Sequence, residues 1–250
     1  NINMEVHHHS HHPKKWKEYI TEFLMLFLAV SLGFMAENIR EHQIEQNRER
    51  QYMVSFVADL ESDIVNIMEG MPRKDARMKA IDTLFQYFNA NQNVTAVPAV
   101  IVKKMKRAAY DRSYVRNTTT INQLKNSGNL RLIQNRRVVD SIASYDWRWS
   151  RMEYYRETYI TNQKDIYHLE EEILDARDMI GFFINNDSLT TENSSPKTGN
   201  IRIRREKLNA YLNLLARQLI VTKIDKENYR KIALMSRDLI NSIKQEYDLK

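Results

Sequence analysis

Cysteine is absent from this 250-residue chain, and glycine (five) and proline (four) are scarce. Without cysteine there is no disulfide framework, no thiolate nucleophile and no zinc ribbon, so any metal chemistry would rest on histidine and carboxylate. Glycine and proline together fall far below the roughly 12% of average usage, which removes folds that need many tight turns, such as β-sandwiches, Rossmann folds and collagens. Long blocks of one charge sign are missing too. Thirty-eight basic and 32 acidic residues alternate along the chain for a net charge of +6, which describes a solvated surface rather than a nucleic-acid groove. The 13 tyrosines, 8 phenylalanines and 11 methionines supply the bulk for a core, which excludes wholesale disorder. Length allows one large or two small domains. The class that remains is all-α, built of long helices.

Phe23 to Ala36 is an unbroken run without formal charge, and Ser31 is its only hydroxyl. Fourteen residues are short for a membrane span. Tyr19 to Ile39, about 31 Å of helix, is long enough if Glu22 and Glu37 reach the two headgroup layers. Trp16 and Tyr19 are suited to the interface, and Lys14, Lys15 and Lys17 form a basic collar. A cleavable signal peptide and a buried soluble helix are the competing readings. The arginines Arg40, Arg48 and Arg50 nearly balance the collar, so orientation rests on the short N-terminal tail, which need not be translocated. That favours a cytoplasmic N-terminus with the bulk of the chain outside.

On a helical wheel Ala29, Gly33, Ala36 and Arg40 fall within about 40° of Glu22. Small residues at 29 and 33 let membrane helices approach closely. We therefore expect a homo-oligomer interface at Glu22, Ala29, Gly33, Ala36 and Arg40. An ionisable group such as Glu22 near the apolar slab is costly, and is either functional or held among the headgroups.

Arg40 to Gln51 is polar on nearly every face, with Ile44 as its one aliphatic residue; such a helix spans solvent or lies between copies of itself. Tyr52, Met53, Phe56, Val57, Leu60, Ile64, Ile67, Met68 and Met71 then recur at helical spacing, and Gly70 and Pro72 read as a stop. The simplest expectation is one helix from Trp16 to Gly70. A separate helix is expected over Met78 to Phe88, another from Pro98 to about Tyr110, and a short one from an Asn117 cap to Leu124 with Gly128 left-handed behind it. Val138, Tyr145, Met152, Tyr159, Ile166, Ile173 and Ile180 recur every seven residues, a packing seam in one helix from about Asn135 to Ile180. Asn185 to Asn200 reads as a polar loop, and Leu208 to Ile243 as a final helix that bends near Asp225. The organisation expected is a His/Lys-rich tail (1–15), a transmembrane helix (16–40), a polar stalk (41–51) and a helical bundle (52–250).

The segments WKEYITEFLMLFLAVSLGFMAENIREH (Trp16 to His42) and YMVSFVADLESDI (Tyr52 to Ile64) resemble an uncharacterised Bacteroidetes family of single-span membrane proteins. TTTINQLKNSGNLRLIQN (Thr118 to Asn135) resembles a Leu-Lys-Ser-Ser-Gly-Asn-Leu signature of related families, with Asn126 in place of a small residue. The resemblance implies an inner-membrane anchor and a helical extracytoplasmic, periplasmic domain. It brings no activity and no catalytic residue.

Catalytic patterns are lacking. The glycines at 33, 70, 128, 181 and 199 are too scattered for a phosphate loop, and HExxH and GxSxG do not occur. Asp165 and His168 have half the spacing of a di-iron site, but a second half is missing. Glu170, Glu171, Glu172 and Asp175 read as a solvated face. His7, His8, His9, His11 and His12 form a tract able to hold Zn²⁺ or Ni²⁺ without a folded frame. Arg112, Tyr114, Arg116 and Trp147-Arg148-Trp149 mix cations and aromatics, a combination that suits anions or glycans and equally suits stacking inside a bundle. The function expected is a non-enzymatic, membrane-anchored structural or interaction protein of the bacterial envelope. Its partners would be the lipid bilayer, further copies of itself and an envelope protein, with no cofactor and no nucleic acid. The alternative is an oligomeric channel or mechanosensor with Glu22 and Arg40 near a central axis.

Overall fold

The computed structural model describes residues 15–110, 114–185 and 199–249, and of 181–185 the backbone alone. Within these the chain is all-α, with α1 (Trp16–Ala90), α2 (Ala99–Ala109), α3 (Thr119–Asn126), a 3₁₀ turn (Asn129–Leu132), α4 (Arg136–Ile173), α5 (Ala176–Asn185) and α6 (Leu208–Glu246). Two three-residue strands, β1 (Ala96–Pro98) and β2 (Asn200–Arg202), pair antiparallel with Val97 opposite Ile201. The chain divides into two compact units, 1–51 and 52–250.

The first helix does not stop at Gly70. It runs 75 residues to Ala90 with Pro72 inside it, so the separate helix expected over Met78 to Phe88 is its last part. Gly70 lacks the left-handed backbone of a helix-ending glycine, since the positive-φ glycine is Gly128. Proline in a helix interior costs about 3 kcal/mol. Here that cost is outweighed by tertiary packing on both sides of Pro72: Ile67 before it and Ala80, Ile81 and Leu84 after it are buried.

The seam expected from Asn135 to Ile180 is real as far as Ile173 and then breaks. Asn135 caps α4, its Oδ1 accepting from the Arg137 and Val138 amides at 2.9 and 3.3 Å. At the other end Leu174 turns extended. The Asp175 amide donates to the Arg202 carbonyl at 3.1 Å, and the Arg204 amide donates to that of Ile173 at 2.8 Å. Chain around β2 thus takes the backbone groups that would continue the helix. Asp175 Oδ1 accepts from the Arg177 amide at 3.0 Å and so opens α5. Ile180, expected in the seam, is exposed, and Met179 is buried instead. The last helix passes Asp225 without interruption.

In the larger unit α4 and α6 run antiparallel, with Asn135 beside Glu246, Asn162 beside Gln218 and Glu170 beside Tyr211. Two apolar clusters are stacked along them. One joins Met53, Phe56 and Leu60 of α1 to Ile121 and Leu124 of α3, Ile142 and Tyr145 of α4, and Ile232 and Ile243 of α6. The other joins Ile81, Leu84 and Phe88 of α1 to Val102 and Met105 of α2, Ile166 and Ile173 of α4, and Tyr211 and Leu215 of α6. Between the two along the sequence of each long helix lie buried polar residues: Lys74 and Arg77 on α1, Asn162 on α4, Gln218 and Thr222 on α6.

Candidate functional site

The smaller unit carries an apolar stretch that is long enough, by length and composition, to cross a membrane. Its apolar side chains point in every direction: the consecutive residues Phe23, Leu24, Met25 and Leu26 are 65%, 48%, 60% and 68% exposed, and four residues complete the circumference of a helix. Ala29, Gly33 and Ala36 are exposed on one face, and Glu22 is half-buried. A Cβ added at Gly33 would meet nothing within 4 Å. Arg40 is ion-paired with Glu37 one turn back, its Nε donating to Oε2 at 2.9 Å. Trp16 and Tyr19 are exposed beside Lys15 and Lys17. His7, His8, His9, His11, His12, Lys14 and Arg112 lie outside the described residues, as does most of the 185–200 loop.

In the larger unit Tyr114, Arg116 and Trp149, three of the aromatic and cationic residues singled out from the sequence, gather about a carboxylate that was not singled out. Asp63, 1% exposed, faces inward because it falls seven residues after Phe56 and four before Ile67. Its Oδ1 accepts from the Tyr114 hydroxyl and, at 2.9 Å, from the Asn117 amide, while Oδ2 accepts from the Tyr145 hydroxyl at 2.7 Å. One turn back, Asp59 accepts from Asn117 Nδ2 at 2.7 Å and from the Thr120 amide at 3.0 Å. Two carboxylates of α1 therefore hold the chain from Tyr114 to Thr120. Arg116 stacks on Tyr145, 4.6 Å from its ring centre, and its Nη1 donates to Asp146 at 2.8 Å. Trp149 packs among Tyr114, Tyr145 and Tyr229 at 5.4 to 6.4 Å between ring centres. Trp147 stays exposed with Arg151 over its ring.

Burial raises the Asp63 carboxyl above the ordinary aspartate value, and its three hydrogen bonds offset that only in part. Burial likewise drives the Tyr114 and Tyr145 hydroxyls upward, and the adjacent Asp63 charge adds to the effect. Asp146 behaves oppositely. Its burial would raise it, but hydrogen bonds from Lys125 and Arg116 outweigh that and hold it low.

The polar residues between the clusters are closely knit. Arg77 reaches the end of α2, donating from Nε to the Ala108 carbonyl at 2.7 Å and from Nη2 to that of Ala109 at 3.1 Å, with Nη1 on the Tyr159 hydroxyl. Lys74 pairs with Asp225 at 3.0 Å and lies over the rings of Tyr159 and Tyr229. Glu170 overturns the solvated-face reading of its acidic run. It is fully buried, accepting from Lys106 Nζ and the Tyr211 hydroxyl at 3.0 Å each, and burial raises both its own carboxyl and the Tyr211 hydroxyl. Its position four residues after Ile166 and three before Ile173 carried the signal.

These buried groups are donors and acceptors to one another, an arrangement that fixes helix positions. Among the described residues no group of three or more His, Asp or Glu side chains could hold a metal ion, and His168 faces Glu172 at 3.3 Å on the surface. A shallow concavity lined by Asn89 to Val94 offers amides and no titratable group. The chain matches no protein-family model, no curated protein and no solved structure.

Proposed function

We propose that this chain is a membrane-anchored helical interaction protein of a bacterial envelope, self-associating, with its N-terminus cytoplasmic and its larger helical unit on the periplasmic side. The observation that carries the reading is the bare apolar circumference of α1 from Phe23 to Met35. A helix that is apolar on all faces and exposed on all faces is disfavoured in water and stable in a hydrocarbon slab. The basic collar of Lys14, Lys15 and Lys17, with Trp16 and Tyr19 at the same end, is suited to a headgroup layer and supports the anchor. The open backbone approach at Ala29 and Gly33 supports association of spans. The buried polar ties of the larger unit support a rigid helical head that presents its surface to a partner in the envelope, and no catalytic role is assigned to it.

The test is fractionation of cells expressing the full chain, with intact-mass measurement. The chain is expected to stay in the membrane through alkaline carbonate washing at its full mass. Release by carbonate, or a mass short by the apolar segment, would overturn the anchor.

A further inference from the structure

In its second unit α1 carries two stripes. One is the buried line of Met53, Phe56, Leu60 and Ile67. The other is bare: Val54, Ala58, Glu61, Val65, Met68 and Pro72 are all exposed, at alternating steps of four and three residues. All six lie within about 40° of Val54 on the wheel. They form two interleaved seven-residue series, Val54-Glu61-Met68 and Ala58-Val65-Pro72, and five of the six are apolar while the exposed neighbours Ser55, Ser62, Asn66 and Glu69 are polar, the composition of a helix-to-helix seam rather than of a solvated face. Val54, Val65 and Met68 leave 49%, 56% and 50% of their surface exposed.

We propose that this stripe is where a second copy of the chain docks, α1 against α1 in parallel and in register. A heptad stripe is complementary to itself, because knobs at one height meet holes at the same height only when both helices repeat alike. Ala58, near its N-terminal end, permits close approach. Glu61, its one charge, comes with a countercharge from its own chain, Lys244 Nζ lying 3.0 Å from its carboxylate, so two copies do not bring bare carboxylates together. The stripe is about 27 Å long, and its few half-exposed apolar side chains are modest for association in free solution. Anchoring, on which the inference rests for the parallel orientation, sets every copy at the same height and supplies the effective concentration.

The chain has no cysteine, so a single introduced thiol reports alone. Full-length Val65→Cys, Asn66→Cys and Tyr154→Cys are oxidised in native membranes. Asn66 is about 100° around the helix from Val65, and both control positions are exposed. Parallel seams bring Val65→Cys within disulfide reach of its copy, so it is expected to give several-fold more covalent dimer than either control. Adding Val54→Glu and Met68→Glu, at exposed sites, should abolish the excess with helicity unchanged. Equal yields at all three sites, or no dimer at Val65→Cys, would overturn the stripe. A dimer trapped at Gly33→Cys but not at Val65→Cys would overturn it while leaving self-association through the membrane segment standing.

Discussion

Arg77 Nε lies 2.7 Å from the carbonyl oxygen of Ala108, so a buried guanidinium on α1 closes the C-terminal end of α2. Carbonyls at a helix end lack intrahelical donors, and a cation there is doubly favourable because it also faces the negative end of the helix dipole. Through Tyr159 the same side chain reaches α4. Arg77→Met keeps the bulk and removes the donors that Arg77 gives to the Ala108 and Ala109 carbonyls and the Tyr159 hydroxyl. We expect a loss of about 2–4 kcal/mol, read as a lower unfolding midpoint of the detergent-solubilised full chain by circular dichroism. Arg77→Lys, a point charge without the planar fork, should fall between.

Asp63 makes the opposite kind of prediction, one of sign. Its folded carboxyl is raised above the ordinary value of 3.8. Below that value the carboxyl is protonated whether the chain is folded or not. As pH rises past 3.8 the unfolded chain ionises first, so the contribution of Asp63 to stability falls with rising pH until the folded carboxyl has ionised as well. Asp63→Asn is nearly isosteric and can still accept from Tyr114 and Asn117, while the Tyr145 hydroxyl can turn to accept. It should flatten the stability–pH profile above 3.8 and cost little, whereas Asp63→Ala strands three donors and should cost about 2–4 kcal/mol. A steeper profile in Asp63→Asn would contradict the raised value.

Local rules were readable where one short segment contains the whole cause. Asn135 caps α4 because its side chain reaches amides two and three residues on. The heptad from Val138 to Ile173 named α4 for the same reason. Asn117, expected as the cap of α3, lies one residue before it: the cap position is Thr118, whose side chain makes no capping bond, and Asn117 accepts from the Thr119 amide instead. What the sequence concealed depends on groups far along the chain. Pro72 reads as a stop because the packing that carries α1 through it comes from other helices. Glu170 reads as solvated because Lys106 and Tyr211, which make its burial tolerable, lie 64 and 41 residues away. Arg116 and Trp149 read as members of a cation–aromatic group suited equally to anions or glycans and to stacking, and nothing in that group points to Asp59 and Asp63, which hold the Tyr114 to Thr120 segment. Acidic residues inside an apolar repeat look like its polar face until their donors are known.

Gly128 supplies a backbone test. It sits at φ 69° between α3 and the 3₁₀ turn, and a Cβ there would touch nothing within 4 Å. Any cost of Gly128→Ala is therefore conformational rather than steric against neighbours. About 1 kcal/mol is expected from the left-handed geometry, seen as a small drop in unfolding midpoint with helicity intact.

Gly33 tests association in the membrane segment. Because its surroundings within the chain are open, Gly33→Leu leaves the isolated chain unstrained and changes only what a neighbouring helix meets. It should shift detergent-solubilised protein toward monomer in native mass spectrometry. Phe27→Leu, about 120° around the helix from Gly33, should leave the copy number unchanged. Equal copy number in both would remove the Ala29–Gly33 face from the interface and leave association to the rest of α1.

Pro72 sets local preference against tertiary packing. It has no N–H to offer the Met68 carbonyl, and its ring crowds the preceding turn. Pro72→Ala restores the donor and improves helix propensity, and loses only the restriction that proline places on the unfolded chain, about 0.4–1 kcal/mol. If α1 needs only to be helical here, Pro72→Ala should stabilise the protein by about 1–2 kcal/mol, seen as a higher unfolding midpoint. A proline also bends the helix that contains it, and Lys74 and Arg77 follow within two turns, where they must meet Asp225 and the Ala108 and Ala109 carbonyls. Straightening α1 could pull both away. The double variant Pro72→Ala with Arg77→Met separates the outcomes: a gain that persists without Arg77 is local helix propensity, and a loss that disappears without Arg77 is the bend holding its guanidinium on α2.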